Sequence, residues 1–496
     1  MKNIFKVWVI VLVLVAVGLV QSESYSPSEI PSLINGILSN CSNYDCYGVE
    51  WGLVIDIYNP SGNGGPVNIY NFNENQMFTP ASNTKLFTTS SIFYTFGEDY
   101  TIETPFYTQE LFVPGVELDH ICVKGLGDPS ITTQQLANAA QFFSKAASVG
   151  SLILDTSFYV DDNFNIPTTW MFEDLTSTYG ALPTPLIINE NTINIILTPS
   201  PNLGQAPTVS FQNPGEETYL TYVNNAVTTD ESSNNTISLS FRMTSGVVYI
   251  NGNLPYRVDG EYIFQIPILD PDQYFFTVFG AMLKEQGLYV NEYAYGLCNT
   301  TENRSYVTIS PPLSEMLNYT LLNSDNLYAE TFLRLLGSNN YNSYPEGTQT
   351  WLKGLYSIVE ILNINTDYFD QADGSGLSRI NYFTPQAFIE LIESIYFNAG
   401  DPDHDYLSYL PVGGVSGTLS DRFIGTPAQG VVHAKTGSMM GVNSLSGLIS
   451  QNLQDPPANQ PIIFFSILQN NGQKITDGHL IPVIDEIVVL LSQIQF

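Results

Sequence analysis

Positive charge is what this sequence has least of. Its 496 residues carry 15 lysines and arginines against 48 aspartates and glutamates, a formal net charge of -33. Nucleic acid and anionic membrane surfaces both demand a basic face, so neither is an expected partner. Repulsion among so many carboxylates eases as they protonate, and the composition suits an acidic working environment. Histidine is scarce too, confined to His120, His404, His433 and His479. No Gly-x-Ser-x-Gly elbow and no His-Glu-x-x-His pair occurs, which argues against an α/β-hydrolase triad and a zinc protease. Cysteine is limited to Cys41, Cys46, Cys122 and Cys298, none in a Cys-x-x-Cys pair. With no histidine near them in sequence, they read as disulfide partners rather than metal ligands. The short loop favours Cys41 with Cys46, leaving Cys122 with Cys298. No internal repeat is visible, and no cofactor is implied.

The one long apolar run stands at the start. Lys2 and Lys6 precede an unbroken stretch from Val7 to Val20, followed by Gln21, Ser22, Glu23 and Ser24. That order matches a secretory signal with cleavage near Ser22, and the run is shorter than the roughly 20 residues a bilayer span needs. A secreted or otherwise extracytoplasmic protein with no stable membrane anchor is expected. Sequons at Asn40, Asn234, Asn299, Asn303 and Asn318 would be glycosylated in a eukaryotic host.

A chain of this length is expected to form two or three domains, or one with large insertions. Gly48–Tyr58 and Val67–Asn71 flank a turn-forming stretch and predict a hairpin. Pro80 precedes a helical pattern over Ala81–Phe96, with Leu86, Phe87, Phe93 and Phe96 as its apolar positions. From about Thr101 to Cys298 the texture is short β-like stretches broken by Gly, Pro, Asn and Ser, as at Ser151–Leu154, Thr192–Leu197, Ile237–Phe241 and Val247–Ile250. Helical patterns return at Leu313–Asn318, Leu327–Leu336, Thr350–Leu362 and Pro385–Tyr396. Strands are predicted at Val431–Lys435, Gly441–Ile449 and Pro461–Leu468, then a last helix at Ile481–Ile494.

Three short patterns stand in the order one active site would need: Ser82-Asn-Thr-Lys85, Ser324-Asp-Asn326 and Lys435-Thr-Gly437. Together they form the S-x-x-K, S-D-N, K-T-G set of serine acyl-enzymes that react with penicillin. Beyond the leader, lysine occurs only at Lys85, Lys124, Lys145, Lys284, Lys353, Lys435 and Lys474, and two of these fall in the patterns. Residues three apart share a helix face, so Lys85 can reach the hydroxyl of Ser82. A serine is a weak nucleophile until a base takes its proton, and Lys85 can serve once burial and a second cation such as Lys435 depress its pKa. Ser324 would relay a proton to the leaving amine, while Asn326 would bind the substrate amide or the lysine. Lys435 and Thr436 can hold a terminal carboxylate, Gly437 removes an obstructing side chain, and the amides of Ser82 and Ser438 are candidates for the oxyanion hole. Taken singly, each pattern is ordinary: a surface lysine, a helix cap, an edge strand. His433 reads as a strand residue near the site with no partner for a triad, and Ser375 as a turn residue.

The wording around these patterns extends the match. Asn323-Ser-Asp-Asn-Leu-Tyr-Ala-Glu330, Asp373-Gly-Ser-Gly-Leu-Ser-Arg379 and Lys435-Thr-Gly-Ser-Met-Met-Gly-Val-Asn-Ser-Leu-Ser-Gly447 are joined by Gly127-Asp-Pro129, Ser310-Pro-Pro-Leu-Ser314 and Gly414-Val-Ser-Gly-Thr-Leu419. The chain resembles the D-alanyl-D-alanine carboxypeptidase/endopeptidase family, the class C low-molecular-mass penicillin-binding proteins, over nearly all of its mature length. The resemblance implies an α+β fold, with a β-lactamase/transpeptidase-like domain of helices around an antiparallel sheet and a large mainly-β insertion. Residues 1–22 would be the signal, 23–98 plus 303–496 the catalytic domain, and 99–302 the insertion. It also implies peptidoglycan stem peptides and β-lactams as ligands. The acidity departs from what an enzyme of a polyanionic wall would carry, and it fits an enzyme that trims or digests bacterial peptidoglycan better than one that builds its own. Two rivals stay open: a β-lactamase-like hydrolase or esterase of the same fold, and an inactive binding module.

Overall fold

Two distant stretches of chain build one five-stranded antiparallel sheet, in the order Val432–Met439, Val442–Ile449, Ile462–Asn470, Glu50–Tyr58, Val67–Phe72. The structure, a computed structural model, describes residues 24–495 apart from 41–45, 47, 63, 161–165, 168, 243–244, 258–259, 340–343, 346, 399–405, 454–459 and 473–479. The expected signal, Cys41 of the expected Cys41–Cys46 pair, His404 and His479 lie outside the described residues.

Period-two alternation gives the sheet two buried faces. Leu53, Ile55 and Ile57, with Ile463, Phe465 and Ile467, pack against Ile30 and Ile34 of helix Ile30–Ser39 and Ile484, Ile487 and Val488 of helix Ile481–Leu491. Val54, Phe464 and Leu468 point the other way, into a core shared with Phe87, Phe332, Ile358 and Phe388. Those four belong to helices Lys85–Phe96, Asn326–Asn339, Thr350–Leu362 and Pro385–Asn398, so the sheet is covered on both sides. The Lys435 strand ends the order, and residues 411–413 cover only its first half, through Gly413 N to Val432 O and Ala434 N to Pro411 O.

The segment between the two halves carries its own core. Its main sheet runs Val290–Tyr295, Ser148–Asp155, Glu117–Lys124, Glu103–Thr108, Asn303–Ile309. Smaller sheets drawn from residues 192–267 complete a region that is mainly β. Two helices the sequence reading did not anticipate, Thr133–Phe143 and Pro271–Glu285, bury Phe143, Phe275 and Phe279 against Phe106 and Leu152. Local signals for both were present. Thr132 and Gln135 form a reciprocal capping box, and Asp270 caps a helix with proline in its first turn.

The expected boundary at residue 303 needs correction. Asn303–Ile309 pairs antiparallel with Glu103–Thr108, because its residues extend the inserted sheet rather than the catalytic one. The chain returns at Ser310. There Ser310 N–H donates to Ile102 O at 2.9 Å and Ile102 N–H to Ser310 Oγ at 2.8 Å, so the two crossing strands are tied together at the neck of the insertion. Cys122 and Cys298 are bonded, joining positions 176 residues apart across the inserted sheet. No helix among the described residues is long and apolar enough to cross a membrane.

Candidate active site

The site forms where the head of one helix, the junction of two others and the sheet edge converge. Ala81–Thr84 is a single 3-10 turn with Ala81 at φ +50°, and the α-helix proper starts at Lys85. The turn leaves Ser82 half-buried while Asn83, Thr84 and Lys85 are fully buried. Lys85 Nζ donates to Ser82 Oγ at 3.0 Å, Asn326 Oδ1 at 2.5 Å and the Ser375 carbonyl at 2.7 Å. All three ammonium donors are therefore engaged. Burial pushes Lys85 down to about 8, against the pull of Asp325, Asp373 and Glu330.

Ser324 ends helix Leu313–Asn323 in a left-handed conformation at φ +57°, which turns the chain sharply into the next helix. Asp325 Oδ1 accepts from Tyr328 N–H at 2.8 Å, as a cap would. Asn326 then begins the new helix with its amide held at both ends: Oδ1 on Lys85 and Nδ2 donating to Tyr179 O at 2.9 Å. The insertion thus contributes a backbone carbonyl to the site. Lys435 Nζ donates to Ser324 Oγ and to the Thr436 carbonyl, each at 2.8 Å. Burial and the nearby Lys85 charge hold Lys435 well below the usual lysine range. Two buried amines whose charges oppose each other stand one on each serine.

Gly437 serves a neighbour different from the one expected. A Cβ there would lie 2.2 Å from Ser444 Oγ and 2.5 Å from Pro80 O, so its missing side chain makes room for the Ser82 turn rather than for substrate. Asn83 seals that contact. In the amide orientation that satisfies both neighbours, it donates to Lys435 O at 2.7 Å and accepts from Ser446 Oγ at 2.9 Å. Thr436 Oγ1 meets Thr418 Oγ1 at 2.7 Å, and Ser438, exposed at the edge, donates to Asn443 Oδ1 at 3.1 Å. His433 is half-buried and pushed down to about 4 by burial, so it is neutral near pH 7. Ser375 is fully buried, and what it offers the site is its carbonyl.

A supporting layer went unassigned in the sequence reading. Glu330, one helical turn beyond Asn326, is buried and accepts from the Gly374 and Ser375 amides at 2.9 Å each, which aims the Ser375 carbonyl at Lys85. Its other oxygen meets Arg334 Nη1 at 3.1 Å, and burial beside Asp373 pushes it up to about 7. Asp373 accepts from Gly376 N at 2.7 Å, Ser378 N at 2.6 Å and Trp170 Nε1 at 2.9 Å, tying the same loop to the insertion. Both carboxylates stood inside the matching strings, and the i,i+4 spacing of Asn326 and Glu330 was the readable signal. Among the described residues no His, Cys, Asp or Glu cluster is placed to hold a metal.

An α+β scaffold that sets a lysine-bound serine, a second serine–lysine pair and an asparagine in one cleft defines a serine-type carboxypeptidase of the penicillin-interacting class. The chain belongs to the D-Ala-D-Ala carboxypeptidase 3 (S13) family, which matches residues 52–493. It is 52% identical over 492 residues to the penicillin-sensitive carboxypeptidase A of Dictyostelium discoideum, covering 95% of this chain and 93% of that one. It is 27% identical to the D-alanyl-D-alanine carboxypeptidase of an Actinomadura species, over 82% of this chain and 75% of that protein. Among solved structures, penicillin binding protein 4 of Haemophilus influenzae superposes with a TM-score of 0.72 at 22% identity, covering 92% of this chain and 98% of that one. That likeness is one of fold.

Proposed function

We propose that this protein is a secreted D-Ala-D-Ala carboxypeptidase that acts on peptidoglycan stem peptides through an acyl-enzyme on Ser82. The observation that carries this reading is the 3.0 Å contact from a buried Lys85 to Ser82 Oγ, with Lys435 on Ser324 beside it. Neutral Lys85 takes the hydroxyl proton as Oγ bonds to the penultimate D-alanine carbonyl. The Ser82 and Ser438 amides receive the oxyanion. The amide C–N bond then breaks, and the departing amine takes a proton through Ser324, supplied by the lysine pair. Thr436 and Lys435 hold its carboxylate. Water next attacks the ester carbonyl and gives a proton to Lys85, neutral again, which passes it to Ser82 Oγ as the ester C–O bond breaks. Asn326, fixed by Lys85 and Tyr179 O, positions the acyl chain.

Release of D-alanine from a peptide ending in D-Ala-D-Ala, blocked by penicillin, tests the activity directly. The rate should climb with pH through about 8, since Lys85 must lose its proton to act as base. No release at any pH removes the reading, and a pH-independent rate between 6 and 9 removes Lys85 as base. Steady turnover of a cephalosporin, rather than trapping, would favour the β-lactamase-like alternative.

Stability should run the other way. Burial raises Asp128 to about 6, Asp272 to about 6, Glu330 to about 7 and, with Asp56, Glu393 to about 8. Groups whose folded pKa lies above the unfolded value contribute stability that is complete below the unfolded pKa and lost as pH rises through the folded one. These four carboxyls should therefore outweigh the depressed Lys435 and lower the melting temperature between about pH 6.5 and 8, above the range in which the depressed His433 works the other way. A rise over that window in a thermal scan contradicts it. The acidic habitat read from composition thus suits the fold better than the reaction.

A further inference from the structure

Three consecutive non-glycine residues, Asn189, Glu190 and Asn191, adopt left-handed backbone at φ 48°, 56° and 49°. Asparagine tolerates this; glutamate rarely does, and a run of three survives only where neighbours enforce it. Here they do. Asn191 is buried, and its Nδ2 donates to Leu182 O at 2.8 Å while its carbonyl accepts from Ile268 N. Asn189 Oδ1 accepts from Thr133 N at 3.0 Å and its own N–H donates to Ile131 O at 2.8 Å. The anchored pair presents the residue between them. Glu190 is half-buried, takes the Tyr319 hydroxyl on Oε1 at 2.6 Å, and lies close enough to Asp325 to feel its charge.

Glu190 stands where two cavities meet. One, of about 210 Å³, is lined by Asn323, Ser324, Asn326 and Tyr179; the other, of about 490 Å³, by Thr133, Asn194 and Asn213. Glu190, Thr192 and Gln265 line both. The first opens at Ser324, the group that protonates the departing amine in the mechanism above. With the departing residue's carboxylate on Thr436 and its nitrogen at Ser324, its side chain has this polar space to enter. Among the described residues no lysine or arginine lines either cavity, whereas the carboxyl of Glu190 lines both and that of Asp325 lines the first.

We infer that the cavity between Ser324 and Glu190 is a subsite for the side chain of the departing D-residue, and that Glu190 selects a long cationic side chain over an anionic one. This rests on the acyl-enzyme reading and adds a specificity to it. A leaving residue with a free aminoalkyl side chain, such as D-lysine, has the chemistry to fill it.

The test compares hydrolysis of three acyl-D-alanyl peptides whose last residue is D-lysine, D-norleucine or D-α-aminoadipate, which share an α-carboxylate and differ in charge. The kcat/KM should fall in that order, by about tenfold from first to last, and Glu190→Gln should narrow the spread to about threefold or less. Equal kcat/KM for the three in the wild-type protein overturns the inference, whether or not the variant folds. So does a spread that Glu190→Gln leaves intact in protein still labelled by fluorescent penicillin. Absence of any penicillin adduct on the wild-type chain would instead remove the acyl-enzyme reading, whereas a labelled enzyme that hydrolyses only D-alanyl-D-alanine ends overturns the subsite alone.

Discussion

Replacing Lys85 with alanine should slow acylation by penicillin by about 10³-fold, within the range that loss of a positioned general base produces. The substitution removes the donor to Ser82 Oγ and releases the two groups that held it, Asn326 Oδ1 and the Ser375 carbonyl. Ser82 then loses the amine bonded to it, while Lys435 is engaged with Ser324 and burial leaves His433 only weakly basic. The variant should still fold, because a desolvated cation has been removed from a site that penalised it. The loss should therefore appear in the labelling rate and not in the far-ultraviolet circular dichroism. Acylation within tenfold of wild type would assign the base elsewhere, with Lys435 the first candidate.

Glu330→Ala should damage stability more than any other single change near the site, by about 3–5 kcal/mol in urea denaturation. The carboxylate is 1% exposed, as is Arg334, and it is the acceptor for two loop amides. Removing it leaves a buried guanidinium with less compensating charge and two amides without their acceptor. Glu330→Gln should cost less, because an amide oxygen can still accept from Gly374 and Ser375. The two variants separate hydrogen bonding from charge: equal losses would mean that the ion pair with Arg334 carries the stability and the loop contacts little.

The chemistry of this chain was more legible in its sequence than its scaffold. Ser82, Lys85, Ser324, Asn326 and Lys435 sit in strings that match one signature set, and the structure joins Lys85 to Ser82 and Asn326 and, close by, Lys435 to Ser324. The hairpin Glu50–Tyr58 with Val67–Phe72 was readable from β-branched and aromatic residues flanking a turn, and the helix Thr350–Leu362 from its helical pattern. Helices Thr133–Phe143 and Pro271–Glu285 were lost among β-like neighbours, although their caps were written in one turn of sequence. The return at Ser310 was misplaced by a strand because Asn303–Ile309 pairs with residues some 200 positions earlier, and no local pattern announces such a partner. Long separation also hid the Glu330 contacts to Gly374 and Ser375, and the left-handed run at Asn189–Asn191 depends on anchors in three other segments.

Mass spectrometry of the intact protein after incubation with benzylpenicillin, followed by peptide mapping, tests the central claim most directly. The account predicts one penicilloyl adduct per chain, on Ser82, and none in Ser82→Ala. An unmodified protein, or an adduct placed on another residue such as Ser375, would contradict it.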